Sequence, residues 1–227
     1  MRIKNLIKGD MRFQVKYGFY FVYAILTLLY TLLICALPDA VKEKAAIIMI
    51  YTDPAAMGLF FMGAIILLEK SQRVLDSITV SPVKVSEYIL SKIISLGIIG
   101  TLVGTLLSIL AGNYKIFQVM AGVFLGSIIF SLIGLSVAAK INSLNQFMIA
   151  TVPFEIIFFL PPLLYLFGYK KSFMLLHPGC VIIRLLSGEN GFDLLPVIVL
   201  LGWILLLYQI TCVIVKRMFQ SVGGVKL

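Results

Sequence analysis

The side chains that could do chemistry are few in this 227-residue chain, and they are widely spaced. His177 is its one histidine, and no Cys/His/Asp grouping surrounds it. Metal sites and nucleophilic catalysis both need several such groups close together. The chain has no Gly-x-x-x-x-Gly-Lys-[Ser/Thr] phosphate-binding loop either. We therefore expect no enzyme activity and no cofactor or metal held by this chain, and we expect His177 simply to start a helix before Pro178.

Glu155 is the ionisable residue with the most unusual setting, because it lies in an apolar run between Pro153 and Pro161-Pro162. It is about ten residues, or ~15 Å of helix, from the nearest polar boundary. A charged carboxyl there costs a few kcal/mol against lipid, so it should face protein or water, or be protonated. Two interpretations are open. Glu155 contacts a substrate or proton in a translocation path, or it is a neutral acid bonded to backbone that Pro153 leaves free.

A polar, charge-bearing insert occupies residues 69–92, between two apolar runs, and begins with Glu69. Helical periodicity places Leu75 and its apolar neighbours on one face, with Arg73 and Asp76 elsewhere on the helix. The exposed face of such a surface helix could dock on a soluble partner protein. The alternative is an ordinary amphipathic loop that rests on lipid.

A second helix is predicted after a break in this insert. Ser81 is a typical N-cap residue and Pro82 a typical first helical residue. The helix then passes Glu87 and runs into the next apolar segment. The loop itself covers residues 69–87.

Composition indicates an integral membrane protein. The chain is 61% hydrophobic and 13% charged, against about 25% charged for soluble domains. Continuously apolar runs of about 20 residues favour transmembrane helices over a barrel of alternating strands. Six spans are predicted: Tyr17–Leu37, Asp53–Leu68, Tyr88–Ala111, Ile116–Ala139, Gln146–Phe167 and Leu194–Val215. The second is short and could extend back through Ala45–Tyr51.

The distribution of basic residues predicts the orientation. With the N-terminus inside, the inner segments hold 13 of the 19 Lys and Arg residues and the outer segments hold 6. This asymmetry places both termini in the cytoplasm. The net charge of +9 is thus explained by topology and by attraction to anionic lipid, and nucleic acid is not an expected partner.

Three further segments complete the predicted layout. In residues 1–16 one series of apolar residues and one of basic residues each repeat every four positions. This spacing predicts an amphipathic helix in the inner membrane interface rather than an unstructured flank. Residues 38–52 are predicted as the first outer loop. Residues 168–193 are apolar but interrupted, which favours a re-entrant outer segment between the fifth and sixth spans. Cys35 and Cys180 are both predicted near the outer side, so a disulfide bond between them is one interpretation. Buried free thiols are the favoured one.

The 69–92 insert resembles the ABC-2 type exporter permeases. That family has an acidic residue at the end of its second span, then Leu-Asp-x-Leu-x-x-Ser-Pro-Val, then Glu-Tyr-Leu-x-x-Lys. The matching residues are Glu69, Leu75-Asp76-Ser77-Ile78, Ser81-Pro82-Val83, Glu87-Tyr88-Ile89-Leu90 and Lys92. His177-Pro178 with Arg184 is similar to the family's Asn-Pro…Leu-Arg segment, with His in place of Asn. The basic N-terminus running into Tyr17-Gly18-Phe19-Tyr20 looks like permeases for fluoroquinolone or multidrug export.

The resemblance implies one transmembrane half of an ABC exporter in a prokaryotic plasma membrane. Its partners would be two copies of a separate ATPase, which binds ATP and Mg²⁺, and a second permease, identical or homologous. The 69–87 loop would be the coupling helix, with Glu69, Arg73, Asp76, Ser81, Pro82 and Glu87 as its coupling residues. The substrate would be a small molecule, drug or peptide.

Two other functions stay open on the residues alone. The first is an ion-coupled carrier or channel that uses Glu155, although the two halves of the chain show no clear inverted repeat. The second is a membrane scaffold or immunity protein that transports nothing.

Overall fold

The computed structural model of the protein describes residues 2–113, 115–188 and 194–222. Within these ranges the regular structure is helical, and six helical segments are long and apolar enough to cross a membrane. A helix satisfies its own backbone hydrogen bonds, as a lipid environment requires. The predicted class, an all-α membrane protein with six spans, is confirmed.

The helices follow the predicted spans closely, with one exception described below. Their bounds are α1 Arg2–Lys16, α2 Phe19–Ala36, α3 Asp39–Ile50, α4 Met57–Ser71, α5 Val74–Thr79, α6 Val85–Leu110, α7 Ile116–Lys140, α8 Leu144–Leu166, α9 Pro178–Ser187 and α10 Leu194–Val222. A π-helical turn, Tyr51–Ala55, joins α3 to α4, and a 3₁₀ turn, Ser172–Leu176, precedes α9.

The prediction of an outer loop at residues 38–52 is wrong. Pro38 ends α2, and α3 starts at once with Asp39 in its first turn, where a carboxylate suits the positive end of the helix dipole. Ala46, Ile47 and Ile50 of α3 are buried, so tertiary packing sustains helix where the charged residues suggested a loop. The helical path runs from Asp39 to Ser71, which confirms the extension through residues 45–51.

Helices α4, α6 and α7 form the packed centre of the bundle. The turn between α6 and α7 is short, so these two helices are antiparallel neighbours, as predicted. Helices α4 and α7 approach closely at Gly134, where an added Cβ would overlap the carbonyl group of Leu59. Close backbone approach through small residues is the usual packing mode of membrane helices.

The remaining long helices lie at the periphery. Only 11% of the central stretch of α2, 22% of that of α8 and 11% of that of α10 is buried, against 56–61% for the segments that contain α4, α6 and α7. Apolar side chains such as Leu32, Ile149 and Leu205 are therefore exposed on the isolated chain. These faces are available to lipid or to another membrane protein.

Helix α8 is continuous despite three internal prolines. Because Pro162 has no N–H, the carbonyl of Phe158, four residues earlier, loses its helical partner. The Tyr51 hydroxyl donates to that carbonyl at an O···O distance of 2.5 Å. The π-helical turn thus supplies the donor that Pro162 lacks.

Helix α9 is buried among α3, α7, α8 and α10. His177 is its N-cap residue and Pro178 follows at the first position, as predicted. The end of the predicted re-entrant segment, residues 189–193, lies outside the described residues, and its depth in a membrane stays a prediction. Cys180 is buried and Cys35 is exposed, and both are free thiols rather than a bridge.

Candidate coupling site at the α5 end of the bundle

Helix α5 is a six-residue surface helix held by one buried side chain. Arg73 precedes it in the left-handed conformation, with φ 55°, which turns the chain sharply out of α4. Leu75 is 1% exposed and packs beneath α5, whereas Arg73, Asp76 and Val80 are exposed. The predicted division into a buried apolar side and an exposed charged side is confirmed. We call the end of the bundle that carries this helix the α5 end.

The second helix of this segment starts later than predicted, so the assignment of Ser81 as an N-cap is wrong. The Ser81 hydroxyl donates back to the carbonyl of Ile78 and closes α5 instead. Helix α6 begins at Val85, with Lys84 as its N-cap residue. The Glu87 carboxylate accepts the Lys84 amide hydrogen at 3.0 Å, and this bond sets the helix start. Ser81 and Pro82 occupy the turn between α5 and α6.

A buried ionic network is centred near the end of α4, which leads into α5, and it joins three helices. Glu69, at the end of α4, is 3% exposed and Lys92, in α6, is 2% exposed. The Lys92 Nζ atom lies 2.5 Å from Glu69 Oε1 and 3.0 Å from Asp10 Oδ1 of α1. The Tyr88 hydroxyl donates to the second Glu69 oxygen at 2.7 Å. A buried ion pair offsets its desolvation cost only when its remaining polar atoms are also hydrogen-bonded. Here both carboxylate oxygens of Glu69 are bonded.

Helix α1 packs against α6, in part through polar residues. Gln14 is buried, and its side-chain amide donates to the Ser95 hydroxyl at 2.8 Å. Lys4, Lys8, Arg12 and Lys16 remain exposed on the opposite side. The amphipathic helix is confirmed, and its inward face is more polar than the sequence pattern indicated.

Lys70, the neighbour of Glu69, secures a different helix. Its Nζ atom donates to the carbonyl oxygens of Ala138, Ala139 and Ile141 at 2.8, 2.9 and 2.7 Å. These groups include the unpaired carbonyls at the end of α7, where a cation also complements the helix dipole. Glu69 therefore holds α6 and Lys70 holds α7, from adjacent positions of α4.

The terminal helices meet this same end of the bundle. The Arg2 guanidinium donates to the Pro82 carbonyl at 3.3 Å, and the Tyr17 hydroxyl donates to Gln72 at 2.6 Å. Phe219, near the end of α10, packs edge-to-face on Tyr88. Helices α4 and α10 therefore contact α5 itself, and α1 contacts the segments on either side of it.

The sequence-predicted site residues fall into two groups. Arg73 and Asp76 are exposed on α5, while Glu69 is buried at its base and has no surface to offer a partner. Glu155 is distant from all of them, on α8. It is half-buried and lies on the same side of α8 as the buried residues Thr151 and Phe158. Among the residues that the structure describes, it has no hydrogen bond or ion pair.

Sequence reasoning missed several members of the network. Lys92 lies four residues inside the predicted span Tyr88–Ala111, and an ionisable residue within a span was the signal that could have identified it. Asp10 gave no such signal, because an acidic residue among the lysines of α1 has the pattern of an exposed polar face.

Comparison with known proteins identifies the family of this chain. The model of the fluoroquinolones export permease protein family matches residues 1–222. Two curated relatives from two strains of Mycobacterium tuberculosis, each named a fluoroquinolones export permease protein, are 23% identical over 169 residues, which covers 74% of this chain and 71% of each relative. The chain therefore belongs to the fluoroquinolones export permease protein family.

Proposed function

We propose that this chain is the transmembrane permease subunit of an ABC exporter, which moves a drug or another small molecule outward. A separate ATPase, present in two copies, would bind ATP and Mg²⁺ and supply the driving force. The α5 end would face the cytoplasm of a prokaryotic cell, in line with the excess of basic residues in its segments.

The observation that carries this proposal is the way in which α5 is attached to the bundle. Six residues of surface helix have too little buried area to be stable alone. Leu75 nevertheless anchors the helix, and the buried network of Asp10, Glu69, Tyr88 and Lys92 fixes the end of α4 from which α5 follows. A soluble partner that pushes on Arg73 and Asp76 would move a rigid unit rather than a loose loop.

The network also gives a route for that movement. Glu69 and Lys70 end α4 and bind the start of α6 and the end of α7, respectively. These are the helices of the packed centre, so closure of an ATPase dimer against α5 would reach the middle of the bundle through buried, mutually bonded groups.

A second permease subunit, identical or homologous, is part of the proposal. The exposed apolar faces of α2, α8 and α10 give it a place to pack. Glu155 supports such an arrangement, because a half-buried carboxyl with no partner among the described residues suits a subunit interface or a water-filled path better than lipid.

The test is co-purification and transport with the ATPase encoded beside the permease gene. Simultaneous Arg73→Glu and Asp76→Arg substitution should abolish recovery of the ATPase and ATP-dependent uptake into inverted membrane vesicles. Lys44→Glu, an exposed charge reversal at the other end of the bundle, is the matched control and should leave both intact. The coupling role is rejected when no ATPase co-purifies and the double reversal exports normally.

The position of Glu155 favours one alternative function, an ion-coupled carrier. It predicts that Glu155→Gln stops transport and that depletion of ATP at a fixed proton gradient does not. Export by an ABC system predicts the reverse response to ATP depletion. A non-transporting scaffold or immunity protein predicts no flux that depends on this chain.

A further inference from the structure

Helix α1 carries a row of basic side chains that no acidic group offsets. Four of them recur every four positions and are exposed: Lys4, Lys8, Arg12 and Lys16. We call this row the basic ladder. None of the four forms an ion pair within the part of the chain that the structure describes. Asp10, the one acidic residue of α1, is turned inward to Lys92, so the outward side of α1 is positively charged along its whole length.

The basic ladder extends along a membrane-spanning helix, because α1 packs beside the first half of α6. Three contacts follow one another in the same order along both segments: Arg2 with Pro82, Asp10 with Lys92 and Gln14 with Ser95. The partners in these contacts are 80, 82 and 81 positions apart in the chain. This nearly constant separation means that α1 and α6 run side by side in the same direction. Because Asp10 and Gln14 face α6, helical periodicity turns the ladder away from the bundle.

The middle of the ladder lies at the polar boundary of the bundle. Lys92 contacts Asp10 and also Glu69, which is two residues before the end of α4, so Asp10 is level with the end of a span. Lys4 and Lys16 are six positions before and after Asp10, or about 9 Å to either side along the helix. The polar layer of one leaflet is only about 5 to 8 Å thick. The ladder therefore crosses the level of the lipid headgroups.

The surroundings of the ladder favour lipid over a soluble partner. Val15 lies on the same side of α1 as the ladder and is 61% exposed. Tyr17 follows α1, and its hydroxyl donates to Gln72 while its ring lies 5.7 Å from Nζ of Lys16. Tyrosine is typical of the boundary between membrane and water. Phe21, in the first turn of α2, is 69% exposed, so the ladder leads directly into an exposed apolar surface.

We propose that the basic ladder of α1 binds the headgroups of anionic phospholipids in the leaflet at the α5 end. Its unpaired cations complement the charge of such headgroups, and each basic residue near an anionic leaflet strengthens binding by about fivefold. The long aliphatic stems can lie against Val15 and lipid tails while the charged ends reach the phosphates. This site goes beyond the proposed function, because headgroup binding requires neither an ATPase nor a transported substrate.

Native mass spectrometry of the purified permease in detergent measures the affinity for individual lipids. Dioleoyl phosphatidylglycerol is the anionic probe and dioleoyl phosphatidylcholine, with the same tails and no net charge, is its counterpart. The unmodified protein should bind phosphatidylglycerol more tightly. Neutralising the ladder with Lys4→Gln, Lys8→Gln, Arg12→Gln and Lys16→Gln should weaken phosphatidylglycerol binding by at least about tenfold and leave phosphatidylcholine binding unchanged.

Two control variants separate the ladder from the charge of the whole protein. The first removes four exposed lysines from four other segments: Lys44→Gln, Lys84→Gln, Lys140→Gln and Lys216→Gln. It has the same net charge as the ladder variant and should keep most of the preference for phosphatidylglycerol. The second, Lys4→Arg with Lys8→Arg and Lys16→Arg, keeps the charges and should bind as the unmodified protein does.

Hydrogen exchange of the unmodified permease tests the site without any substitution. Exchange in α1 should be slower in nanodiscs of phosphatidylglycerol than in nanodiscs of phosphatidylcholine, whereas the buried helix α9 should exchange equally in both. This measurement also decides the question should the ladder variant fail to fold.

Equal affinity of the unmodified protein for the two lipids would overturn the inference, as would equal exchange of α1 in the two nanodiscs. Equal losses in the ladder variant and in the four-segment control would also overturn it, because net charge alone would then attract the lipid. A ladder variant that keeps its lipid preference but no longer recovers the ATPase would assign the ladder to a protein partner instead. Ladder-dependent lipid binding without ATP-driven export would refute the proposed function alone.

Discussion

The Nζ atom of Lys92 lies 2.5 Å from Oε1 of Glu69, and both side chains are almost fully buried. A second carboxylate, Asp10, is 3.0 Å from the same nitrogen and has a side-chain exposure of 15%. One cation therefore faces two carboxylates from two other helices. Its removal leaves those two charges close together with nothing to balance them.

This asymmetry predicts a graded series of stabilities. Lys92→Met should lower the free energy of unfolding by about 3 to 5 kcal/mol, since an uncompensated buried charge is strongly destabilising. Glu69→Gln should cost less, because Asp10 still pairs with Lys92, and Asp10→Asn should cost least. Unfolding in mixed micelles by added SDS, followed by circular dichroism, measures the series.

A double variant tests whether charge is the cause. Glu69→Gln with Lys92→Met should be less destabilised than the sum of the two single changes, because no Lys92–Glu69 pair remains to be broken. Additive losses would mean that the two side chains act through packing alone.

Lys70→Met should release the end of α7. The substitution keeps an apolar stem but removes three hydrogen bonds to backbone carbonyls, which predicts a loss of about 1 to 2 kcal/mol. Hydrogen exchange should increase in the last turn of α7 and little elsewhere. Lys140→Met removes an exposed lysine from the same turn and serves as the control. Equal exchange in both variants would contradict the capping role.

Tyr51→Phe should leave the Phe158 carbonyl without a donor, at a cost of about 1 to 3 kcal/mol for a buried unsatisfied acceptor. Pro162→Ala restores a backbone N–H that can reach the same carbonyl. The double variant should therefore lose less stability than Tyr51→Phe alone, as measured by SDS unfolding. Equal losses with and without Pro162 would show that the Tyr51 ring matters for its packing and not for its hydroxyl.

The elements were predictable from sequence to the extent that local patterns determine them. Apolar runs located the spans, and the spacing of Leu75, Arg73 and Asp76 indicated which side of α5 is buried. The start of α6 was missed because Ser81-Pro82 has strong local helix-start chemistry. The bond that decides the boundary is instead donated by the Lys84 backbone N–H to the Glu87 carboxylate.

The buried contacts were predictable only in part, because they join residues far apart in the chain. Asp10 and Lys92 are separated by 82 positions, and Tyr51 and Phe158 by 107. Pro162 implied an unpaired carbonyl at Phe158, but the identity of the donor depends on how the π-helical turn packs against α8. The exposed α5 surface was easier to predict than the buried network near the end of α4, since exposure follows from local polarity.

His177 should make the stability of the protein depend on pH. Burial is the main influence on its ring and lowers its pKa below the ordinary value, and the nearby Ile157 carbonyl opposes this fall in part. The folded state therefore binds a proton less readily than the unfolded state, whose histidine titrates near about 6.5. Stability is complete above that value and falls as the pH drops through it, by under about 1 kcal/mol for a half-buried ring. Because His177 is the one histidine in the chain, His177→Gln should remove the dependence between about pH 5 and 8. SDS unfolding at a series of pH values measures this, and an unchanged slope in His177→Gln would assign the dependence to other groups.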